Sequence, residues 1–318
     1  MSDDFLNNYL ARFDRAEAKR KGQPRQVALE LKFPLVVRED GRAASRESVS
    51  ALWQYLDRQG WRAMQDAHSG KVVGAQLVRD SKTDTLSSAT GHCVIELSTA
   101  PEHNLGDLKK RVAEALAPVL SFCRQGELVL LGQGIHPISK PSPDLLTDKG
   151  RNVFWDDIFV RREKGARVHL FTVTAASQVH IDVGVAEAGD ALAVFNGLSP
   201  AQLALNANSM VWGNRVDTAH KCVHETFWDR WMPHEDRVGM PEAKPQSLTG
   251  YLEHLINLRP VYVERDGEPI MLPAVGSFRE FLQSDRVEGA RQSGEKVSVE
   301  PRPEDCLLYT SPSPRDRT

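Results

Sequence analysis

Three short stretches place charged or amide side chains inside otherwise apolar strand sequence: Val27–Phe33 (VALELKF), His92–Ser98 (HCVIELS) and Ser177–Val183 (SQVHIDV). A strand repeats every two residues, so Glu30 and Lys32 point to one sheet face. Gln178, His180 and Asp182 likewise alternate with Val179, Ile181 and Val183. Glu96 interrupts an apolar strand between Ile95 and Leu97. A buried carboxylate there requires a partner or a metal ion. The other two rows also fit blander uses: Gln178, His180 and Asp182 as the wet side of a half-exposed strand, and Glu30 as an edge charge paired with Lys32. Carboxylates and an amide suit a hard cation such as Mg²⁺, which takes oxygen ligands and leaves room for phosphate oxygens. A histidine can complete such a shell or bind phosphate.

The remaining chain reads as helices and hairpin-joined strands in irregular order, which predicts an α+β fold with an antiparallel sheet. Apolar spacing predicts helices over residues 3–21, 48–59, 104–124, 247–257 and 277–283. A mostly helical stretch covers 186–208, with a break at Gly197 and Pro200. Strands are expected at 27–37, 72–78, 92–98 and 127–131, over most of 168–185, and as a hairpin of 260–265 with 269–272 across Asp266-Gly267. Residues 138–152 read as an exposed active-site loop, 212–246 lack clean periodicity, and 284–305 read as disordered.

The chain has 318 residues, 41% hydrophobic and 26% charged, the balance of a globular protein able to bury a sizeable core. A net charge of −3 without basic runs predicts no nucleic-acid partner, and no apolar run is long enough to predict a membrane span. The four cysteines show no ligand or disulfide spacing, and the N-terminus is polar and mixed in charge; both predict a cytoplasmic protein. Phosphate loops, nucleophile elbows and zinc-protease motifs are all missing, so a site must come from strand-borne polar residues. His136 is a lone loop histidine, and Phe227–Trp231 (FWDRW) fits a core anchor or a base-stacking platform.

Cys306–Asp316 (CLLYTSPSPRD) matches one reading frame of a common transposon-based sequencing adapter. Residues 306–318 are therefore expected to be foreign, and 1–305 to be a single catalytic domain whose natural sequence continues further.

At these motifs the chain resembles the plant-type glutamate–cysteine ligase family, relatives of the glutamine-synthetase-like carboxylate–amine ligases. Ala28–Phe33 is similar to its Gly-x-Glu-x-Glu-Phe strand, Val94–Pro101 to its Phe-Glu-Leu-Ser-x-Ala-Pro segment, and Gln178–Asp182 to its Gln-Val-Asn/His-x-Asp strand. Leu205–Ser209 resembles the Ala-Asn-Ser segment, and Asp236–Gly239 with Pro241 an Asp-Arg-x-Gly…Pro loop. Tyr251–Leu255, Pro260–Val263 and Gly276–Leu282 follow in the family's order, so the resemblance spans about residues 27–283.

The resemblance implies a glutamine-synthetase-like antiparallel sheet cradle with helices on its outer face, binding ATP and Mg²⁺. It implies attack of the glutamate γ-carboxylate on ATP and capture of the γ-glutamyl phosphate by the amine of cysteine. Glu30 and Glu96 match metal-binding carboxylates, and Gln178 and His180 match inward positions serving metal and nucleotide. Asn208 falls in the nucleotide-side Ala-Asn-Ser segment. Arg151 and Arg237 match arginines expected near carboxylate or phosphate. Lys32 stands where relatives usually carry a second glutamate, so it would either meet phosphate directly as a catalytic cation or leave the first metal position weak. Closing loops are expected within 138–157 and 212–246. The implied partners are small molecules only, with the chain a monomer or weak homodimer.

Overall fold

The computed structural model describes residues 2–67, 69–150, 152, 168–231, 246–266, 268–291, 293–302 and 305. It is α+β with antiparallel sheets, and by its internal contacts the chain forms two compact units. The sequence reading set no boundary inside residues 1–305. One unit comprises residues 24–182 and 200–234, the other 1–23, 183–199 and 235–318.

The first unit is built on β1 (Val27–Val37), β2 (Arg62–Gln65), β3 (Val72–Arg79), β4 (Lys82–Ser88), β5 (Val94–Ser98), β6 (Leu128–Leu130) and β7 (Ser177–Ile181). They pair in the order β2-β3-β4-β5-β1-β6, and β7 pairs with β1. β1 is long enough to take β7 against Val27–Leu31 and β6 against Leu35–Val37 along one edge, and β5 along the other. Two helices cover one sheet face: α2 (Arg46–Arg58), capped by Ser45, and α3 (Leu105–Gln125), capped by Asn104. Each cap oxygen accepts a backbone N–H three residues on, satisfying a donor the first turn leaves open. Leu52, Trp53 and Leu56 of α2 and Ala115, Val119 and Cys123 of α3 bury against Leu35, Leu86, Ile95 and Leu97 of the sheet. The charged residues of β1 and β5 alternate with these apolar ones and so point to the opposite face.

The apolar side chains of β7 depart from their expected burial. Val179 and Ile181 remain 62% and 40% exposed, because the helix-covered core takes Leu31, Leu35 and Val37 of β1 and does not extend to β7. The expected strand over 168–185 is only partly one. Val168–Val173 is a 3-10 turn, and its Leu170 and Val173 join Ile135, Val223 and Phe227 in a separate cluster. Phe227 is fully buried and Trp228 tilts against Phe171 at 4.7 Å, so these two residues anchor a core. The polar strands β2 and β4 went unseen in the sequence.

The helix α4 (Ala188–Asn206) runs unbroken through Gly197 and Pro200, with strong helix formers on both sides, Ala191–Ala193 and Ala201–Leu205. Short strands β8 (Val211–Trp212) and β9 (Arg215–Val216) and helix α5 (Thr226–Trp231) follow.

In the second unit α1 (Ser2–Arg20), α6 (Leu248–Ile256) and α7 (Phe278–Gln283) pack with β10 (Tyr262–Arg265), β11 (Glu268–Met271), β12 (Val287–Ala290) and β13 (Lys296–Val299). The expected hairpin is β10–β11. Residues 284–305, read as disordered, instead supply β12 and β13, which extend that hairpin to four strands. Asp305 is buried and accepts from Arg265 Nη2 at 2.9 Å. Residues 306–318, assigned to the adapter, lie outside the described residues. Among the described residues no helix is long and apolar enough to cross a membrane.

Candidate active site

The sheet face turned away from α2 and α3 carries the charges. Strand register sets the neighbours: Lys32 lies opposite Glu96, Glu96 opposite Ser87, Glu30 opposite both Ser98 and Gln178, and Ala28 opposite His180. Directly paired residues on one face hold their Cβ atoms about 5 Å apart, so these contacts are dictated by the backbone. Glu30 is 4% exposed and Glu96 2%. Two carboxylates this buried need compensating groups.

Glu96 has a cation beside it. Lys32 Nζ lies 3.4 Å from Glu96 Oε2, and Ser98 Oγ donates to Oε1 at 3.5 Å. On the other side Lys149 Nζ donates to Ser87 Oγ at 3.1 Å. Glu30 has different neighbours. His180 Nε2 sits 3.9 Å from Glu30 Oε1, buried and without a hydrogen-bond partner among the described residues. Gln178, the register partner of Glu30, is exposed.

Lys149 was missed in the sequence because residues 138–152 read as an exposed loop. The loop is instead tied down. Thr147 N donates to Thr90 O at 2.9 Å, Gly150 N to Asp66 Oδ1 at 3.1 Å, and Arg46 Nη1 to Asp148 Oδ2 at 3.0 Å. His92 braces it from beneath, its ring nitrogens 3.1 Å from Leu145 O and 3.2 Å from Ala44 O. The turn at Gly91 has no room for a side chain: a Cβ would stand 1.9 Å from Thr172 O.

His224 was also missed, as a single histidine in an aperiodic stretch. Burial pushes its pKa down to about 4, the Lys32 ammonium pushes the same way, and the Ala175 carbonyl opposes them. At neutral pH it stands uncharged beside Lys32. Burial likewise takes His136 down to about 4, with Nε2 3.4 Å from Cys93 O, a structural placement. The Cys93 thiol is pushed up to about 12 by burial, which rules it out as a thiolate nucleophile near neutral pH.

The structure thus gathers Glu30, Lys32, Glu96, Gln178 and His180 on one face. Asn208 lies elsewhere, on the loop before β8, where its Nδ2 donates to Gly132 O at 2.8 Å and its carbonyl accepts from Gly134 N at 2.7 Å. Arg151 and Arg237 lie outside the described residues.

Glu30 Oε1 and His180 Nε2 stand 3.9 Å apart, so an ion with bonds of about 2.0–2.1 Å would reach both only from between them, on nearly opposite sides. Among the described residues no three His, Cys, Asp or Glu side chains converge as a cage. An ion there would complete its shell with phosphate oxygens and water.

A sequence model of the family described as Glutamate-cysteine ligase family 2 (GCS2) matches residues 51–294. The match includes β5, Lys149, β7 and His224, and begins after Glu30 and Lys32. No curated protein matches the chain.

Proposed function

Because the chain belongs to glutamate-cysteine ligase family 2, we propose that it joins the γ-carboxylate of L-glutamate to the amine of L-cysteine at the expense of ATP, the first step of glutathione synthesis. The family sets the coarser statement: an ATP-dependent carboxylate–amine ligase type with small-molecule substrates. The observation that carries the finer reading is the set of opposed buried charges on one sheet face, continuous with the matched segment.

In this reading the glutamate γ-carboxylate oxygen attacks the γ-phosphorus of ATP and the bond to ADP breaks. The cysteine amine then attacks the acyl carbon, phosphate leaves, and the amine's surplus proton passes to solvent or phosphate. Such chemistry asks the protein for position and charge rather than for a covalent partner. The Lys32 and Lys149 ammonium groups offer point charges to phosphate oxygens. Neutral His224 adds no charge beside Lys32. Glu30, His180 and Gln178 would hold Mg²⁺, with Glu96 holding Lys32 in place. When bound, Mg²⁺ supplies neutralisation of the phosphate oxygens. We assign Arg151 and Arg237 to substrate carboxylate or phosphate, Asn208 to the nucleotide, and residues 1–305 to one cytoplasmic catalytic domain acting as a monomer or weak homodimer.

A panel assay tests the reading: ADP release by the full chain with glutamate and each of several amines. The expected result is ADP release requiring glutamate and fastest with cysteine. Glutamate-dependent release with a different preferred amine would make the chain a ligase of another acceptor. Nucleotide binding without any glutamate-dependent turnover would overturn the ligase reading. The Lys32–Glu96 contact favours that last alternative, because it occupies one of the two buried carboxylates.

A further inference from the structure

Lys149 reaches the charged face from a loop, and the residues on either side of it are held by groups distant in the chain. Its Nζ donates to Ser87 Oγ at 3.1 Å, and Ser87 is the strand neighbour of Glu96. Gly150, just after it, is held by Asp66. The approach to it is held by Arg46, whose Nη1 donates to Asp148 Oδ2 at 3.0 Å and whose Nη2 donates to Leu146 O and, at 3.1 Å, to Asp144 O. Lys71 Nζ meets the other Asp148 oxygen at 2.9 Å. The base of Arg46 is itself fixed: it is the first residue of α2, Ser45 caps that helix, and Ala44 N donates to Leu35 O at 2.9 Å. His92 bridges the same two segments, its ring nitrogens near Leu145 O and Ala44 O. Burial and then the Arg46 charge hold His92 below its ordinary pKa, so it is neutral near pH 7. A neutral imidazole has one N–H and can donate to only one of those carbonyls. The guanidinium fork of Arg46 instead reaches three acceptors at once, which a lysine would not. The Arg46 and Asp148 side chains are 40% and 35% exposed, so their ion pair adds little to overall stability. Its effect is local, on the residue just before Lys149.

We infer that Arg46 is a positioning residue, which through Asp148 and the loop carbonyls seats the Lys149 ammonium beside Ser87 and next to Glu96. The seating is a property of the fold, whereas its consequence for phosphate transfer rests on the proposed ligase reading. A reacting group misplaced by about 1 Å can lose on the order of 100-fold in rate. Bonds of little weight in folding therefore carry large weight in turnover when they set the place of a charge that meets phosphate.

Two measurements on the full chain test this, and the first needs no activity. Acetic anhydride labelling, read by mass spectrometry and scaled to the exposed Lys110, is expected to spare Lys149 in wild type and to reach it several-fold faster in Arg46→Gln. Urea unfolding should give nearly the same midpoint for both chains. Equal labelling of Lys149 in the two would overturn the inference. Should Arg46→Gln not fold, Asp148→Asn, which removes only the carboxylate end, must show the faster labelling or the inference fails. The second measurement is a cycle of Arg46→Gln, Lys149→Met and the double variant, read as kcat for glutamate-dependent ADP release. Arg46→Gln should lower kcat at least about tenfold with the KM for glutamate little changed, and the double variant should be no slower than Lys149→Met. Losses that multiply in the double variant would show that Arg46 does not act through Lys149 and would overturn the inference. Wild type without any glutamate-dependent release would sink the ligase reading, and the labelling would then decide the seating of Lys149 by itself.

Discussion

The seven-stranded sheet buries carboxylates in two places, and the two differ in how tightly they are closed. At one, Asp84 is wholly buried and accepts from Ala100 N at 2.9 Å, Arg79 Nη2 at 3.2 Å and Arg111 Nη1 at 2.8 Å. Glu102 beside it takes Lys82 Nζ at 2.6 Å and Arg111 Nε at 2.7 Å, and the Lys82 hydrogen bond leads in holding its carboxyl below the ordinary range. These groups lock β4, the segment after β5 and α3 together. At the other, Glu96 meets Lys32 at 3.4 Å and Glu30 meets His180 at 3.9 Å, contacts longer than ordinary hydrogen bonds. Short hydrogen bonds to shared cations hold the first place to the fold, whereas the contacts of Lys32 with Glu96 and of His180 with Glu30 are looser.

The comparison breaks most easily at Arg111. Arg111→Met leaves Asp84 and Glu102 short of their shared cation, and removing one partner of a buried pair costs about 3–5 kcal/mol. Urea unfolding should show that loss, and a loss under about 1 kcal/mol would mean the network is not what holds α3 to the sheet.

The loose face should answer the other way. Glu30→Gln is expected to lower glutamate-dependent ADP release on the order of 100-fold while shifting unfolding by less than about 1 kcal/mol. A large loss of stability with unchanged turnover would make Glu30 part of the scaffold.

Acid separates the regions further. His136 has a folded pKa of about 4, below its unfolded value near 6.5, so the unfolded chain takes up the proton first. Its stabilising effect is complete above about pH 6.5 and declines as pH falls toward 4. The decline amounts to about 2 kcal/mol between pH 7.5 and 5. The lowered carboxyl of Glu102 loses its contribution only at lower pH, as it protonates. Stability measured against pH should therefore fall first through the histidine window, and His136→Asn should flatten that slope. An unchanged slope would locate the acid sensitivity elsewhere, with His224 the next histidine to replace.

The smallest effect is expected at an exposed pair of the second unit. Lys296 Nζ reaches Glu288 Oε1 at 3.0 Å, but both side chains are mostly in solvent. Lys296→Ala should change stability by less than about 0.5 kcal/mol. A larger change would show that distance alone, without burial, predicts the strength of ion pairs here.

Strand parity made half of the site legible. The two-residue alternation of VALELKF fixed Glu30 and Lys32 on one face, and Glu96 stood out because a carboxylate among buried apolar residues requires compensation. Local chemistry also marked helix starts: Asn104 ahead of a long amphipathic run is a cap wherever that run packs. Lys149 and His224 carried no such signal. A lysine in Asp148-Lys149-Gly150 looks solvated, and bonds to residues distant in the chain, among them Thr90, Asp66 and Arg46, bring its loop to the sheet. β4, with the sequence KTDTLSS, has one large apolar residue, so its strand identity comes from β3 and β5 on either side. Residues 284–305 show the same dependence, since β12 and β13 are four residues each and form against the edge of the β10–β11 hairpin.

By itself, then, the sequence determined the covalently local properties: which residues alternate, where helices begin, and the family to which the motifs point. Tertiary structure decided which strands lie side by side. That choice placed Lys32 opposite Glu96 rather than beside Glu30, put His180 within reach of Glu30, and brought Lys149 to Ser87. Side-chain direction follows from backbone periodicity within one strand, whereas the partner of a buried charge is set by register between strands distant in the chain. Register is an equilibrium of the whole sheet, and no single segment contains it.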